Sequence, residues 1–333
     1  RFLEVPGQLG LPGGRGGGDI EALRCVLPAL SSPQWVVWLA WLAFCLQPRG
    51  AFPVLSLVGP PHSGKSTIAR AAKQLVDPNS TPLLFQPGDR RDLAAYANAG
   101  WVMALDNITH VPGWLSDALC GLSTGIGFAA RKLYSDGELF KVGGYRPTIV
   151  TSLGGWASRG DLQDRTLQIQ LDPLAAMSDD AAVLQAVDNA RPAVLSWLLD
   201  TLVDALGRPQ APTRHRFYWF LTVAQSVGER LGIDGLGAFE ALRDDAQTAI
   251  AGDSPIADLL LRLVTDGGWE GSTAQLLTVL CDEAGGVRTQ WLTWPRTAEG
   301  LGRMLRTMPL PGMRVEFRRT RTGTLLVLRK EEV

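Results

Sequence analysis

Cysteine and histidine are scarce in this 333-residue chain, which contains four cysteines and three histidines. The cysteines are scattered and form no C-x-x-C pair, and the histidines are equally dispersed. This spacing argues against a disulfide framework and against a metal cluster built from these residues. It fits a reducing compartment, so we expect a cytoplasmic protein.

The sequence also lacks an apolar run long enough to span a membrane. Its longest candidate, residues 35–46, has only about twelve residues, against the ~20 that a membrane helix needs. We expect these residues to form a buried helix that leads into the first strand, and we expect no membrane partner. No signal peptide is visible, and the start at Arg1 rather than methionine suggests a fragment of a longer protein.

No excess of one charge marks the chain as a whole, because 32 basic and 33 acidic side chains give a formal net charge of −1. Net charge therefore gives no signature of nucleic-acid binding. The distribution is more informative, since from Arg288 onward arginines face few acids before Glu331 and Glu332. This asymmetry predicts a basic C-terminal module.

The most informative segment that is present spans residues 51–75. An apolar stretch leads into Gly59-Pro-Pro-His-Ser-Gly-Lys-Ser-Thr67, which has the G-x-x-x-x-G-K-[ST] pattern of a phosphate loop, and a helical pattern follows. Glycines let successive N–H groups point at phosphate oxygens, and the helix adds its positive N-terminal end. Strand, loop and helix in this order predict binding of ATP with Mg²⁺.

Individual roles follow from this pattern. Lys65 is expected to reach the β- and γ-phosphates, and Ser66 to coordinate Mg²⁺. The predicted nucleotide-binding residues are Gly59, Pro60, Pro61, His62, Ser63, Gly64, Lys65, Ser66 and Thr67.

A second apolar stretch ends in Asp106, about forty residues after Lys65, where a Walker B strand belongs. Asp106 is predicted to hold Mg²⁺, usually through water, and the alternative is an ordinary strand that ends in an Asx turn. Asn107 follows, where many ring ATPases carry glutamate. An amide cannot take a proton but can orient the attacking water, so hydrolysis is expected to be slow or to use another carboxylate as base.

Residues 128–142 predict two short strands around Asp136-Gly137, which is a hairpin signal. Cations and an aromatic ring near a hairpin tip suit contacts with a phosphate backbone and stacking on a base. The alternative is a solvated hairpin whose charges only maintain solubility. The predicted DNA-contacting residues here are Arg131, Lys132, Tyr134 and Lys141.

Two further polar positions complete the predicted ATPase. One strand ends at Thr151, where ring ATPases keep a polar sensor near the γ-phosphate. Arg165 precedes the next strand and suits a finger that reaches the γ-phosphate bound by a neighbouring subunit. The alternative for this segment is a surface ion pair, either Asp161 with Arg165 or Asp164 with an arginine, usually worth under ~1 kcal/mol.

The order of strands and helices predicts an α/β fold. Between residues 51 and 172, apolar strands alternate with helical patterns, which implies an ATPase core with a mostly parallel five-stranded sheet and helices on both sides. The predicted strands are 53–59, 82–86, 101–105, 147–151 and 166–171. Residues 1–50 are predicted to form an N-terminal helical linker or collar, and residues 173–252 a helical region.

Residues 253–333 show a different pattern, in which three helices precede strands at 313–317 and 324–328. This is a winged-helix-like arrangement. Arg318, Arg319 and Arg321 are expected to lie on the wing and contact DNA. The alternative is a basic domain that only packs against the rest of the protein.

These elements, in this order, resemble superfamily 3 helicases of the AAA+ class, which are hexameric DNA motors and include the helicase part of poxvirus-type primase–helicases. A closer similarity is to phage- and mobile-element-associated bacterial ATP-binding proteins, over roughly residues 20–330. It is carried by the segments Trp114–Cys120, Thr124–Phe128, Arg131–Tyr134 and Arg159–Arg165. Such proteins usually place Asn where this chain has Thr151, whereas the closer relatives share Asn107.

The resemblance implies an ATP- and Mg²⁺-dependent replicative DNA helicase that forms a homo-hexameric ring on single-stranded or forked DNA. Each site would combine Lys65, Ser66 and Asp106 of one subunit with Arg165 of the next, and a primase domain or protein would be a fitting partner. The alternative is a nucleotide-driven regulatory or defence switch of a mobile element, whose winged helix binds DNA or a partner. A small-molecule kinase is disfavoured, because such kinases rarely carry a hairpin, a finger and a winged-helix tail.

Overall fold

The computed structural model describes residues 7–13, 20–27, 30–48, 50–131, 139–154, 156–157, 159–176, 179–208, 215–252, 255–265, 267–285, 294–307, 310, 313–320 and 323–330. The chain divides into two compact units, Arg1–Arg243 and Asp244–Val333. The finer division into four regions that the sequence suggests stays a prediction.

Helices make up most of the described chain. They are α1 (Glu21–Val26), α2 (Ser32–Cys45), α3 (Lys65–Val76), α4 (Arg90–Asn98), α5 (Gly113–Thr124), α6 (Gly160–Gln163), α7 (Asp180–Leu206), α8 (Tyr218–Leu231), α9 (Gly235–Gly252), α10 (Pro255–Thr265), α11 (Thr273–Ala284) and α12 (Ala298–Thr307). The strands are β1 (Val54–Val58), β2 (Met103–Leu105), β3 (Phe128–Arg131), β4 (Leu139–Val142), β5 (Thr148–Ser152), β6 (Thr166–Gln170), β7 (Trp269–Gly271), β8 (Met313–Thr320) and β9 (Gly323–Lys330).

A parallel sheet of four strands, in the order β2-β5-β1-β6, forms the centre of the first unit. Successive residues of β1 face opposite sides of this sheet. Leu55 and Leu57 join a hydrophobic cluster with residues of α2, α3, α7 and α8, whereas Val54 and Val58 join a second cluster with residues of α4 and α5. The predicted α/β fold with helices on both sides of a parallel sheet is therefore confirmed.

The sheet has four strands, however, and not the five predicted. The segment predicted as a strand over residues 82–86 forms a single parallel bridge, in which Leu84 pairs with Leu105. Pro82 begins the segment and Pro87 follows it, and neither has an N–H to donate to a ladder. Phe85 is 82% exposed, so burial does not extend the strand either.

The apolar stretch at residues 35–46 forms most of α2. Its residues from Trp35 to Cys45 are all buried, against α3, α7 and α8. At its start, Gln34 Oε1 accepts from the N–H of the N-cap residue Ser31 at 2.9 Å, as in a capping box. The prediction of a buried helix is confirmed, and none of the described helices has the length and apolar character needed to cross a membrane.

Helix α7 contains Pro192, a residue type that usually interrupts a helix. The helix runs continuously from Asp180 to Leu206 with Pro192 inside it. Proline removes one helical hydrogen bond, but buried residues on both sides of it, Val187 and Val194 among them, pack into the same core. Burial of one continuous face therefore outweighs the local cost of the proline.

The second unit contains α10, β7, α11, α12, β8 and β9, in that order. Its strands form an antiparallel sheet with β9 in the centre, between β7 and β8. The two strands predicted near the C-terminus correspond to β8 and β9. Strand β7 was not predicted because it has only three residues, which is too short for a clear alternating pattern. Among the described residues of this unit, ten buried apolar side chains from its helices and strands form one hydrophobic core.

Candidate nucleotide site

The predicted phosphate loop connects the carboxyl end of β1 to the first residue of α3. Gly64 takes the N-cap position with φ of 78°, and His62 has φ of 63°, so the loop turns through left-handed backbone at two positions. A Cβ atom on Gly59 would lie 2.5 Å from the main-chain oxygen of Leu171. The loop therefore requires glycine at residue 59, as the motif predicts.

The start of α3 is arranged to receive an anion. Its first helical hydrogen bond runs from the Ile68 N–H to the Gly64 oxygen, at 2.9 Å. The amides of Lys65, Ser66 and Thr67 therefore precede the helical ladder and are directed towards the N-terminal end of the helix. Such an end attracts phosphate groups.

Lys65 lies folded over the loop. Its Nζ donates to the main-chain oxygens of Gly59 at 2.7 Å and Pro60 at 2.6 Å, and to Ser63 Oγ at 3.3 Å. Partial burial lowers the pKa of Lys65 from its usual value, and the nearby negative charge of Asp106 acts in the opposite direction. The ammonium group is thus held beside the loop at the point where the β- and γ-phosphates are expected.

Four of the predicted site residues meet in one hydrogen-bond cluster. Ser66 Oγ donates to Asp106 Oδ1 at 2.8 Å, and Thr151 Oγ1 donates to the same oxygen at 2.6 Å. The Asn107 N–H donates to Thr151 Oγ1 at 2.8 Å, and Asn107 has φ of 56°. We name Ser66, Asp106, Asn107 and Thr151 the Walker B cluster.

This cluster fits a magnesium site. Mg²⁺ keeps several waters and is usually bound by one or two protein oxygens together with substrate phosphates. A serine hydroxyl hydrogen-bonded to a carboxylate, beside a phosphate loop, provides such a donor set. Among the described residues, no group of three or more His, Cys, Asp or Glu side chains forms another metal site.

A cavity of about 240 Å³ opens beside the phosphate loop. We name it the side pocket. Its lining comprises His62, Ser63, Gly64, Lys65, Ser66, Thr67 and Ile68 from the loop and α3, together with Val26, Leu27, Leu174, Ala176, Asp180 and Val183. Sequence reasoning missed this second group of residues, because α1 and α7 are far from the motif in the chain and have no pattern that refers to it.

Asp180, the first residue of α7, is tied to α3 inside this pocket. Thr67 Oγ1 donates to Asp180 Oδ1 at 2.6 Å, and Arg70 Nη1 lies 3.3 Å from Asp180 Oδ2. One turn further on, Gln74 Nε2 donates to the main-chain oxygen of Leu184 at 3.2 Å. These bonds fix the start of α7 against the helix that follows the phosphate loop.

Arg165 lies at the sheet edge opposite the phosphate loop. In the parallel register of β1 and β6, Val54 pairs with Thr166 and Val58 pairs with Gln170. Arg165 therefore precedes the amino end of β6, whereas the loop follows the carboxyl end of β1. The strands span roughly 15 Å at ~3.3 Å per residue, so Arg165 does not lie beside the phosphate loop of its own chain.

The predicted alternative, an ion pair in this segment, applies to other arginines. Arg159 pairs with Asp161 at 2.8 Å, and Arg216 pairs with Asp164 at 2.8 Å. Arg165 instead donates from Nη1 to the main-chain oxygen of Asp161 at 2.5 Å. Its Nε is buried and has no hydrogen-bond partner among the described residues.

The structure contains the two strands of the hairpin that is predicted to contact DNA. Strands β3 and β4 pair antiparallel, with Ala129 opposite Lys141 and Arg131 opposite Leu139. Lys132 and Tyr134 lie outside the described residues. The contact of this hairpin with DNA stays a prediction.

In the second unit, Arg318 and Arg319 are exposed on β8, and Arg321 lies outside the described residues. Arg318 pairs with Glu316 at 2.7 Å, and this hydrogen bond is the main reason why the pKa of Glu316 lies below its usual value. Arg314 also lies 2.7 Å from Glu316. One carboxylate thus offsets part of the basic charge on this strand.

A family model described as "Actinomycete integrative conjugative element replication protein" matches residues 23–249, about two thirds of the chain. Curated proteins give no match. The apo A form of the NrS-1 C-terminal region is 11% identical with a TM-score of 0.43, over 96% of this chain and 77% of that chain. JCV Helicase is 14% identical with a TM-score of 0.27, over 65% and 73% respectively. Likenesses this distant do not establish a function.

The family match agrees with the predicted resemblance to mobile-element proteins, because an integrative conjugative element is a mobile element. The finer assignment, to superfamily 3 helicases, stays a prediction.

Proposed function

Since the chain belongs to the family of actinomycete integrative conjugative element replication proteins, we propose that it is an ATP-dependent replicative DNA helicase. The observation that best supports this function is the Walker B cluster beside Lys65. It joins a phosphate loop to an acidic strand end by direct hydrogen bonds of 2.6–2.8 Å.

In this proposal the loop amides and Lys65 hold the triphosphate, and Ser66 and Asp106 hold Mg²⁺. When bound, Mg²⁺ would supply positive charge that neutralises the negative charge developing on the phosphoryl group during transfer. Asn107 is exposed next to Asp106, and its amide would orient the attacking water. Asn107 has no basic group, so another carboxylate would have to accept the proton.

We further propose that the active protein is a homo-hexameric ring with its ATP sites between subunits. Support comes from the position of Arg165 at the sheet edge away from the phosphate loop of its own chain. From there it would reach the nucleotide of a neighbouring subunit, where an arginine finger stabilises the charge on the transferred phosphoryl group.

The DNA-binding part of the proposal rests on the hairpin and on the second unit. The β3–β4 hairpin would line the pore of the ring and bind single-stranded DNA. The order helix, strand, helix, helix, strand, strand in the second unit supports the winged-helix assignment. Arg318 and Arg319, exposed on β8, would then contact forked DNA.

The experiment is a measurement of ATP hydrolysis with and without single-stranded DNA. We expect strong stimulation by DNA in the wild type, and loss of hydrolysis in Lys65→Ala because the triphosphate loses its main cation. Arg91→Ala removes an exposed cation that pairs with Asp89 and is the matched control. Hydrolysis that DNA does not stimulate would contradict the helicase.

Asn107 supports one alternative, a nucleotide-driven regulatory or defence switch. A site without a carboxylate next to Asp106 suits slow hydrolysis and a long-lived ATP-bound state. Tight ATP binding together with slow hydrolysis, unchanged by DNA, would favour this switch.

A further inference from the structure

The side pocket has two chemically different ends. One end is the phosphate loop with its amides and Lys65. The other end is apolar, and its lining residues there are Val26, Leu27, Leu174, Ala176 and Val183. Among the described lining residues, Asp180 is the acidic one, and it stands beside Thr67.

The phosphate loop fixes the direction in which a nucleotide would enter this pocket. With the phosphates at the start of α3, the nucleoside has to extend towards the apolar end, where a base can contact Val26, Leu174 and Val183. The sugar lies between base and phosphates. Asp180 is bonded to Thr67 in the first turn of α3, so it stands at the level where the sugar would lie.

The carboxylate of Asp180 is held in place but remains accessible. Thr67 and Arg70 each bond one of its oxygens, and Arg70 offsets its charge. An ionised carboxylate offers about four lone-pair sites, so two bonds leave further acceptor capacity. The side chain is 59% exposed. A group of this kind repels phosphate and accepts hydrogen bonds from hydroxyl donors.

We propose that Asp180 accepts hydrogen bonds from the ribose hydroxyls and makes the site selective for ribonucleoside over 2′-deoxyribonucleoside triphosphates. This inference rests on the nucleotide-binding function proposed above. It adds a selectivity residue that lies outside the phosphate loop and the Walker B cluster.

The test compares the affinities of the intact protein for ATP, 2′-deoxy-ATP and inorganic tripolyphosphate, measured by calorimetry. We expect the wild type to bind ATP about tenfold more tightly than 2′-deoxy-ATP, since a hydrogen bond to a charged group is lost. In Asp180→Ala the two affinities should become nearly equal, and tripolyphosphate should bind at least as tightly as it does to the wild type. Asp179→Ala is the matched control, because Asp179 caps α7 through the Ala181 N–H and does not line the pocket.

Several results would overturn the inference. Equal affinity of the wild type for ATP and 2′-deoxy-ATP would do so, as would a preference that persists in Asp180→Ala. A preference lost equally in Asp179→Ala, or tripolyphosphate binding lost in Asp180→Ala, would show an effect on the helix end or the phosphate loop instead. If the inference fails in one of these ways but the wild type binds ATP and Lys65→Ala does not, the proposed function still stands. If the wild type binds no triphosphate, the inference and the proposed function both fail.

Discussion

Thr151 shows what a single residue adds beyond its position in a motif. The sequence places it at the end of a core strand and predicts a sensor near the γ-phosphate. In the structure its hydroxyl donates to Asp106 Oδ1 and accepts from the Asn107 N–H. These bonds link residues more than forty positions apart, so no local pattern could have predicted them. They give Thr151 a positioning role for the carboxylate and for the left-handed backbone of Asn107.

Replacement of Thr151 by valine should separate this role from simple packing. Valine keeps the shape but leaves the Asn107 N–H without its acceptor, which costs about 1–3 kcal/mol. If about 1.4 kcal/mol of this cost is added to the activation free energy, the rate of ATP hydrolysis drops about tenfold. We also expect a higher Mg²⁺ concentration for half-maximal rate.

Thr151→Ser is the matched control, because it retains the hydroxyl, and it should restore both the rate and the Mg²⁺ dependence. Equal activity of the valine and serine variants would contradict the positioning role.

The pair of Lys73 and Asp77 is a case where the sequence would mislead. An i, i+4 pair of opposite charges on a helix usually lies on the surface. Here both side chains are buried, with Nζ 2.5 Å from Asp77 Oδ2. Lys73 also donates to the Val102 oxygen at 2.6 Å, and Asp77 accepts from the Val102 N–H at 2.8 Å. Burial lowers the pKa of Lys73, while Asp77 opposes this effect.

Asp77→Ala should therefore be strongly destabilising. It leaves the Lys73 ammonium buried without its counter-ion, and breaking a buried pair in this way costs about 3–5 kcal/mol. The measurement is the free energy of unfolding in urea. The control is Asp89→Asn, whose exposed pair with Arg91 should contribute little to stability because water screens it. A loss no larger in Asp77→Ala than in this control would mean that Lys73 reaches water.

At the scale of elements, prediction succeeded where local patterns and burial agree. Helix α3 follows the phosphate loop as predicted, because the loop fixes its start at Lys65 and an amphipathic pattern fixes its length to Val76. The strands β1, β5 and β6 were predicted to within about one residue. β1 and β5 are short runs buried on both faces, whereas β6 alternates buried apolar residues with more exposed polar ones. The prediction of a strand at residues 82–86 was wrong, because it relied on apolar content alone. The prolines there have no N–H to donate to a neighbouring strand.

The pocket walls were the part of the site that the sequence could not predict. The phosphate loop and Asp106 follow motifs with fixed spacing. The apolar end of the side pocket instead combines the end of α1, the segment after β6 and the start of α7. These elements become neighbours only through tertiary packing, in which α7 contacts both α1 and α3. Long-range packing of this kind leaves no periodic signal in any one segment.

For the whole molecule, the decisive prediction concerns sites shared between subunits. Lys65 and Arg165 lie at opposite edges of the sheet in one chain. If each ATP site needs Lys65 of one subunit and Arg165 of its neighbour, Lys65→Ala and Arg165→Ala proteins should each be inactive alone. When the two are mixed and allowed to reassemble, some interfaces combine an intact Lys65 with an intact Arg165, so ATP hydrolysis should partly recover.

A mixture of Lys65→Ala with the double variant Lys65→Ala/Arg165→Ala is the control, because it contains no intact Lys65 and should stay inactive. Recovery in the first mixture alone would require that one site draws residues from two chains. Arg165→Ala with wild-type activity would contradict the shared site, as would a first mixture that exchanges subunits but stays inactive.

If Arg165 acts only through its bond to the Asp161 oxygen, it stabilises the start of β6 and has no part in the ATP site. Its loss would then lower the free energy of unfolding, and mixing would restore nothing.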